Sequence, residues 1–180
     1  MASIPPNQHT MCNLFVLTEP LMGTTSGKQV QTAKGKHKFF AWLLVQSKFL
    51  TADKLAARNW LCNPVCSLYD QEPETAAHLS LNCQFARALW GRIERWSSGL
   101  VHMPVQEQDV ENWWNKQLDT LLKQRRRTKA ALLMHTAWNI GKARNSAVFD
   151  NQRLDEMQVE SENKAEIMFR RLACGGPVVE

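Results

Sequence analysis

Cys62, Cys66, His78 and Cys83 fall within 22 residues and carry the donor types that hold a soft or borderline metal. Zinc asks for four such donors at tetrahedral angles, usually a close cysteine pair on a turn and a second pair supplied by a helix. Three residues after Cys66, where a C-x2-C turn would place its second thiolate, stands Tyr69. A phenol with a pKa of about 10 is a poor ligand at neutral pH. Cys62 offers a replacement and gives C-x3-C-x11-H-x4-C, a spacing that zinc tolerates and that is weakly specific by itself. Two readings stay open: a zinc completed by Cys62, or a reduced, packed cluster of Cys66, His78 and Cys83 beside a Trp-rich core. Cys12 and Cys174 fit neither pattern.

These residues need a scaffold, and the chain is long enough to make one. With 180 residues it suits one domain and can bury about 70% of its unfolded surface, so a metal would help the fold without being indispensable to it. Hydrophobic residues make up 44% and charged residues 22%, which argues against wholesale disorder. The net charge of +5 permits contact with phosphate or an acidic partner and lies far below that of a histone-like tail. Five cysteines are an odd number, and the N-terminus reads as neither a secretory leader nor an Arg-rich transit peptide, so a reducing cytosol or nucleus is expected. The longest apolar run, Phe39 to Val45, is far short of the roughly 20 residues needed to cross a bilayer.

Residues 1–36 carry scattered Pro and Gly and read as a flexible arm. A helix of about 12 residues should begin near Lys36, with an apolar face built from Phe39, Phe40, Trp42, Leu43 and Leu44. Thr51 is placed as the N-cap of the next, with Leu50 and Leu55 as its hydrophobic staple, and Pro73 marks a helix start before His78. Phe85, Leu89, Ile93 and Trp96 form one helical face. Val110, Trp113, Trp114, Leu118, Leu121 and Leu122 form another, and a third helix runs from Thr128 to Phe149. A last helix spans Leu154 to Leu172 and stops at Gly175–Pro177. The prediction is an all-α, compact orthogonal array of about six helices over residues 37–176, with a zinc-finger-like loop at 62–83 and a short tail at 177–180.

The stretches KHKFFAWLLVQSKFLTADKLAARNW, CNPVCSLYDQEPETAAHLSLNCQFARALW, WWNKQL and WNIGKARNSAVFD, in this order, give the chain a family likeness. It resembles the zinc-binding domain at the C-terminal end of reverse transcriptases from plant non-LTR, LINE-type retrotransposons. The resemblance implies a ligand pattern C-x2-C-x8-H-x4-C, with ligands at Cys66, His78 and Cys83 and Tyr69 at the position of the lost cysteine. Gly141 stands where the family usually has tryptophan, and Ala147 where a basic residue is common. If a buried tryptophan was replaced at Gly141, the loss is on the order of 3 to 5 kcal/mol unless other side chains repack.

An enzyme would need a catalytic constellation, and the chain shows no Tyr-x-Asp-Asp, no Gly-x-Ser-x-Gly and no phosphate-binding glycine loop. The expectation is a non-catalytic, free-standing and degenerate interaction module acting as a lineage-restricted regulator or effector through an unknown protein partner. Adjacent Trp113 and Trp114 are its candidate interface, because one helix face buries one of them more easily than both. The alternative is a zinc-dependent RNA- or DNA-binding accessory module. Its candidate contacts are Lys123, Arg125, Arg126, Arg127 and Lys129, with Lys34, Lys36 and Lys38 as a second cluster. Such a basic run is more often a solvated connection or a favourable helix C-terminus.

Overall fold

The computed structural model describes residues 28–69 and 71–174. Their regular structure is helical: α1 (Lys28–Val45), α2 (Ala52–Ala56), a π-helical turn (His78–Asn82), α3 (Gln84–Trp96), α4 (Val110–Leu118), α5 (Lys123–Phe149) and α6 (Glu156–Cys174). The expected all-α array is therefore the fold of the chain, and pairing of extended backbone is limited to an isolated antiparallel bridge between Val65 and Pro73. No helix in the described residues is long and apolar enough to cross a membrane.

Helix α5 is the axle, with α1, α3, α4, α6 and the π turn all packed on it. A helix surrounded in this way must be tolerant of burial on every side. Ala130, Leu133, Ala137, Ile140 and Ala143 are buried along it, and so are the polar His135, Thr136, Asn139 and Arg144. Small residues let neighbours come close. A Cβ at Gly141 would collide with the Phe40 ring, whose Cε2 would lie 2.7 Å away. The ring of Phe40 thus fills the space beside Gly141, edge-on to Trp138 at 5.5 Å and to Phe49 at 5.0 Å. No room for a larger side chain remains at Gly141 in this packing.

Both α1 and α5 begin earlier than the sequence suggests. Helix α1 starts at Lys28, so residues 28–36 of the expected arm are helical, and residues 1–27 lie outside the described residues. Lys, Gln and Ala are good helix formers, and the single Gly35 costs only about 1 kcal/mol. Helix α5 starts at Lys123, not Thr128, so the basic run is neither a connection nor a helix C-terminus. It forms the first two turns, where no acidic residue offsets the positive end of the helix dipole. Burial of Lys129 and Ala130, which follow directly, holds the turns in place.

Trp113 and Trp114 are both buried, at 2% and 1% exposure, which corrects the expected interface. Helix α4 packs on α1 and on α5, while Trp113 meets Trp90 of α3 edge-on at 5.1 Å, so both tryptophans point inward and Asn112 and Lys116 are left to face solvent. Asp109 caps α4 by accepting from Glu111 N at 2.8 Å. The face predicted for α3 is found: Phe85, Leu89 and Ile93 are buried, and Trp96 is half-buried against the core.

Candidate metal centre

Three elements bring the donors together. Cys66 sits on one limb of a tight hairpin, its N–H donating to Glu72 O at 2.9 Å, while Glu74 N donates to Pro64 O at 2.8 Å. Pro73 therefore belongs to the hairpin bridge and not to a first helical turn; the helical residues begin after Thr75, whose hydroxyl caps them by accepting His78 N–H at 3.1 Å. His78 opens the π turn, and Cys83 closes it with its N–H on His78 O at 2.7 Å. In an α-helix, residues five apart point about 140° away from each other. A turn closed between residues five apart brings them towards one face. The π turn is what lets His78 and Cys83 meet.

Ligand atoms of Cys66, His78 and Cys83 all lie within 4.8 Å of one another, and all three residues are buried. The two sulfurs are 3.8 Å apart. Two Zn–S bonds of about 2.3 Å at a tetrahedral angle require a separation of about 3.8 Å, so the dithiol is already set at a metal-binding distance. His78 Nδ1 faces Glu72 Oε2 at 3.0 Å, whereas its buried Nε2 has no hydrogen-bond partner among the described residues. The carboxylate fixes the tautomer with the proton on Nδ1 and leaves Nε2 as the ligating nitrogen, the arrangement found behind histidine ligands of zinc.

The electrostatics agree. Cys66 is held as a thiolate, its pKa lowered to about 4, first by the Cys83 thiol donating to it and then by His78, against the opposing effect of burial. Cys83 keeps the shared proton and is pushed up by that bond and by burial. His78 is raised, by the Cys66 sulfur first and also by Glu72. Anionic sulfur beside a basic imidazole is a cation-seeking set, and a metal displaces the remaining proton. The donors fit zinc.

Cys62 is exposed and its thiol donates to Ala52 O at 3.5 Å, outside this group. Tyr69 is half-buried against the core, its N–H on Cys66 O at 3.4 Å. Residues 28–90 match the family described as zinc-binding in reverse transcriptase. The match spans α1 through the middle of α3 and includes every candidate metal ligand, so this region is similar to a retroelement reverse-transcriptase zinc-binding domain; it covers 63 of 180 residues, and the polymerase domain is not part of it. No curated protein and no solved structure matches the chain.

Sequence reasoning missed the clamp that holds the hairpin. Arg144 of α5 donates to both oxygens of Glu74, from Nη2 to Oε1 at 2.8 Å and from Nε to Oε2 at 3.2 Å, with both side chains buried. Glu74 Oε1 also accepts Ala52 N–H at 3.0 Å, so Glu74 caps α2, while the hydroxyl of Thr51 turns to Asp53 instead. One carboxylate thus ties the hairpin to α2 and α5. The only signal was a charged pair 70 residues apart, which no local periodicity exposes.

Proposed function

We propose that the chain is a non-catalytic, retroelement-derived zinc-binding module that acts by binding a protein partner, as a lineage-restricted regulator or effector. Convergence of Cys66, His78 and Cys83, with Glu72 behind the imidazole and Nε2 unpaired, is the observation that carries the metal part of this reading. The finer ancestry, a plant LINE-type element whose ligand set has drifted at Tyr69, rests on the resemblance of the quoted stretches.

For the partner, Trp113 and Trp114 no longer serve. Trp60, 68% exposed, and the fully exposed Leu61 lie just before the hairpin and supply the large apolar contacts that binding hot spots use. Capture experiments with the wild-type chain and with Trp60→Ser/Leu61→Ser test this. Loss of a specific protein from the variant, with metal content and melting unchanged, supports it; identical recovery by both refutes it.

A second reading, RNA or DNA binding, is favoured by the cationic first turns of α5. Lys123 and Arg125 are exposed, Arg126 and Arg127 are half-buried, and the dipole adds to their potential. Lys129 contributes least, because it is buried and burial lowers its pKa. Recovery of nucleic acid whose affinity falls steeply with salt would put this reading first.

A further inference from the structure

The hairpin supplies fewer donors than a closed structural site demands. Zinc in structural sites takes four protein ligands, whereas sites that exchange ligands hold it by three and keep one position open, a Cys2His set among them. Among the described residues the group consists of Cys66, His78 and Cys83. The nearest cysteine in sequence, Cys62, is engaged with Ala52 O on an exposed segment. Tyr69 occupies the position of a second hairpin thiolate with a side chain that ligates poorly at neutral pH. Glu72 is committed to the far nitrogen of the imidazole, Nδ1, and so lies behind the ligand and not beside the metal.

The surroundings suit a fourth ligand that comes from solution. Ser67, next to Cys66, has a buried hydroxyl without a partner among the described residues, a group that ordinarily calls for a water. Hairpin residues Gln71 and Glu72 are exposed, and Ser67, Leu68 and Tyr69 are half-buried, so the buried donors sit beside solvent-facing chain.

We infer that the Cys66–His78–Cys83 set forms an open metal site, whose fourth position takes an exchangeable ligand from solution and is competent to bind an exogenous thiolate. This rests on the zinc reading above and deepens it: the module would present a Lewis-acidic position to soft donors, where a fully ligated finger presents none. With two thiolates already donating to it, the metal keeps a preference for soft ligands.

Cobalt(II) titration of the full chain under reducing, oxygen-free conditions tests the inference, because its visible bands report both thiolate ligation and coordination changes. The expected result is thiolate-to-cobalt absorption that Cys66→Ser or Cys83→Ser abolishes, with visible bands that shift saturably when 2-mercaptoethanol is added. Cys62→Ser and Tyr69→Phe should give the same shift. Tyr69→Cys should strengthen the bands and remove the response to added thiol. Cobalt bands that ignore added thiol in the wild-type chain overturn the inference alone and show that the chain closes its own site. Whichever of Cys62→Ser and Tyr69→Phe restores the response then names the closing residue. Absence of any thiolate-to-cobalt absorption overturns the inference and the zinc reading together.

Discussion

Two clusters of metal-ligating side chains lie in the described residues, Cys66–His78–Cys83 in the hairpin corner and His37–His135–Glu166 between α1, α5 and α6. Their donor atoms converge equally well, yet their chemistry differs. His78 has one nitrogen on a carboxylate and the other without a hydrogen-bond partner among the described residues. His135 has both engaged: Nε2 accepts from the Arg170 guanidinium at 2.6 Å, and Nδ1 faces Glu166 at 3.5 Å. Glu166 is also taken by Lys142 at 3.2 Å and Asn139 at 3.3 Å. Two fixed cations beside the second cluster do what a metal would do, so it is a structural network. Convergence of donors is therefore weak evidence for a metal; an unpaired donor without a competing cation is what separates the corners.

The two corners are also held differently, and substitutions sharpen the contrast. The hairpin hangs on a few directed polar bonds, so Arg144→Ala, which strands the buried Glu74 carboxylate, should cost about 3 to 5 kcal/mol in chemical denaturation. A cost below about 1 kcal/mol would mean the clamp is incidental. Glu72→Ala should leave the helical core's melting unchanged and weaken metal binding roughly 10- to 100-fold in a chelator competition, with Glu72→Gln recovering part of it because its amide oxygen still accepts from Nδ1. In the helical core the limit is space. Gly141→Ala should destabilise by about 1 to 2 kcal/mol, since overpacking against Phe40 exceeds the helix-propensity gain of about 1 kcal/mol. Adding Phe40→Leu should relieve part of that strain, which a thermal melt of the double variant reads directly.

Acid should weaken both corners of the metal-free protein. Burial first, then His37 and Arg170, lower the pKa of His135 to about 3, despite the nearby Glu166. A folded-state pKa below the unfolded value of about 6.5 gives stability that is present above that pH and lost as pH falls towards 3. Glu166 acts in the same direction at lower pH: burial would raise its pKa, but Lys142 and donors including Asn139 and His135 outweigh it. In metal-free protein the raised His78 by itself works the other way, its contribution present below about pH 6.5 and fading as pH rises. The Cys66 thiolate, whose pKa is lowered to about 4 by the Cys83 thiol and by His78, loses its contribution as pH falls towards 4. Stability of His135→Gln between pH 6.5 and 3.5 should fall less than that of the wild type; an identical slope would remove His135 from the account.

Much of this was readable from residue order. Apolar periodicity marked α3 because one face of it meets the core, and donor types marked Cys66, His78 and Cys83. The π turn was not legible, since HLSLN looks like any short helix until the Cys83 N–H bonds five residues back. Burial of both Trp113 and Trp114 depends on helices that clasp α4 from more than one side, which single-helix periodicity cannot register. Gly141 read as a loss because its partner, Phe40, lies 101 residues earlier.

Metal content of purified protein tests the central claim most directly. Mass spectrometry of the tag-free wild-type chain should find about one zinc per chain. Cys62→Ser should retain it, and Cys66→Ser should lose it while remaining helical. Zinc-free wild-type protein with a melt indifferent to chelator would contradict the account, as would loss of zinc in Cys62→Ser.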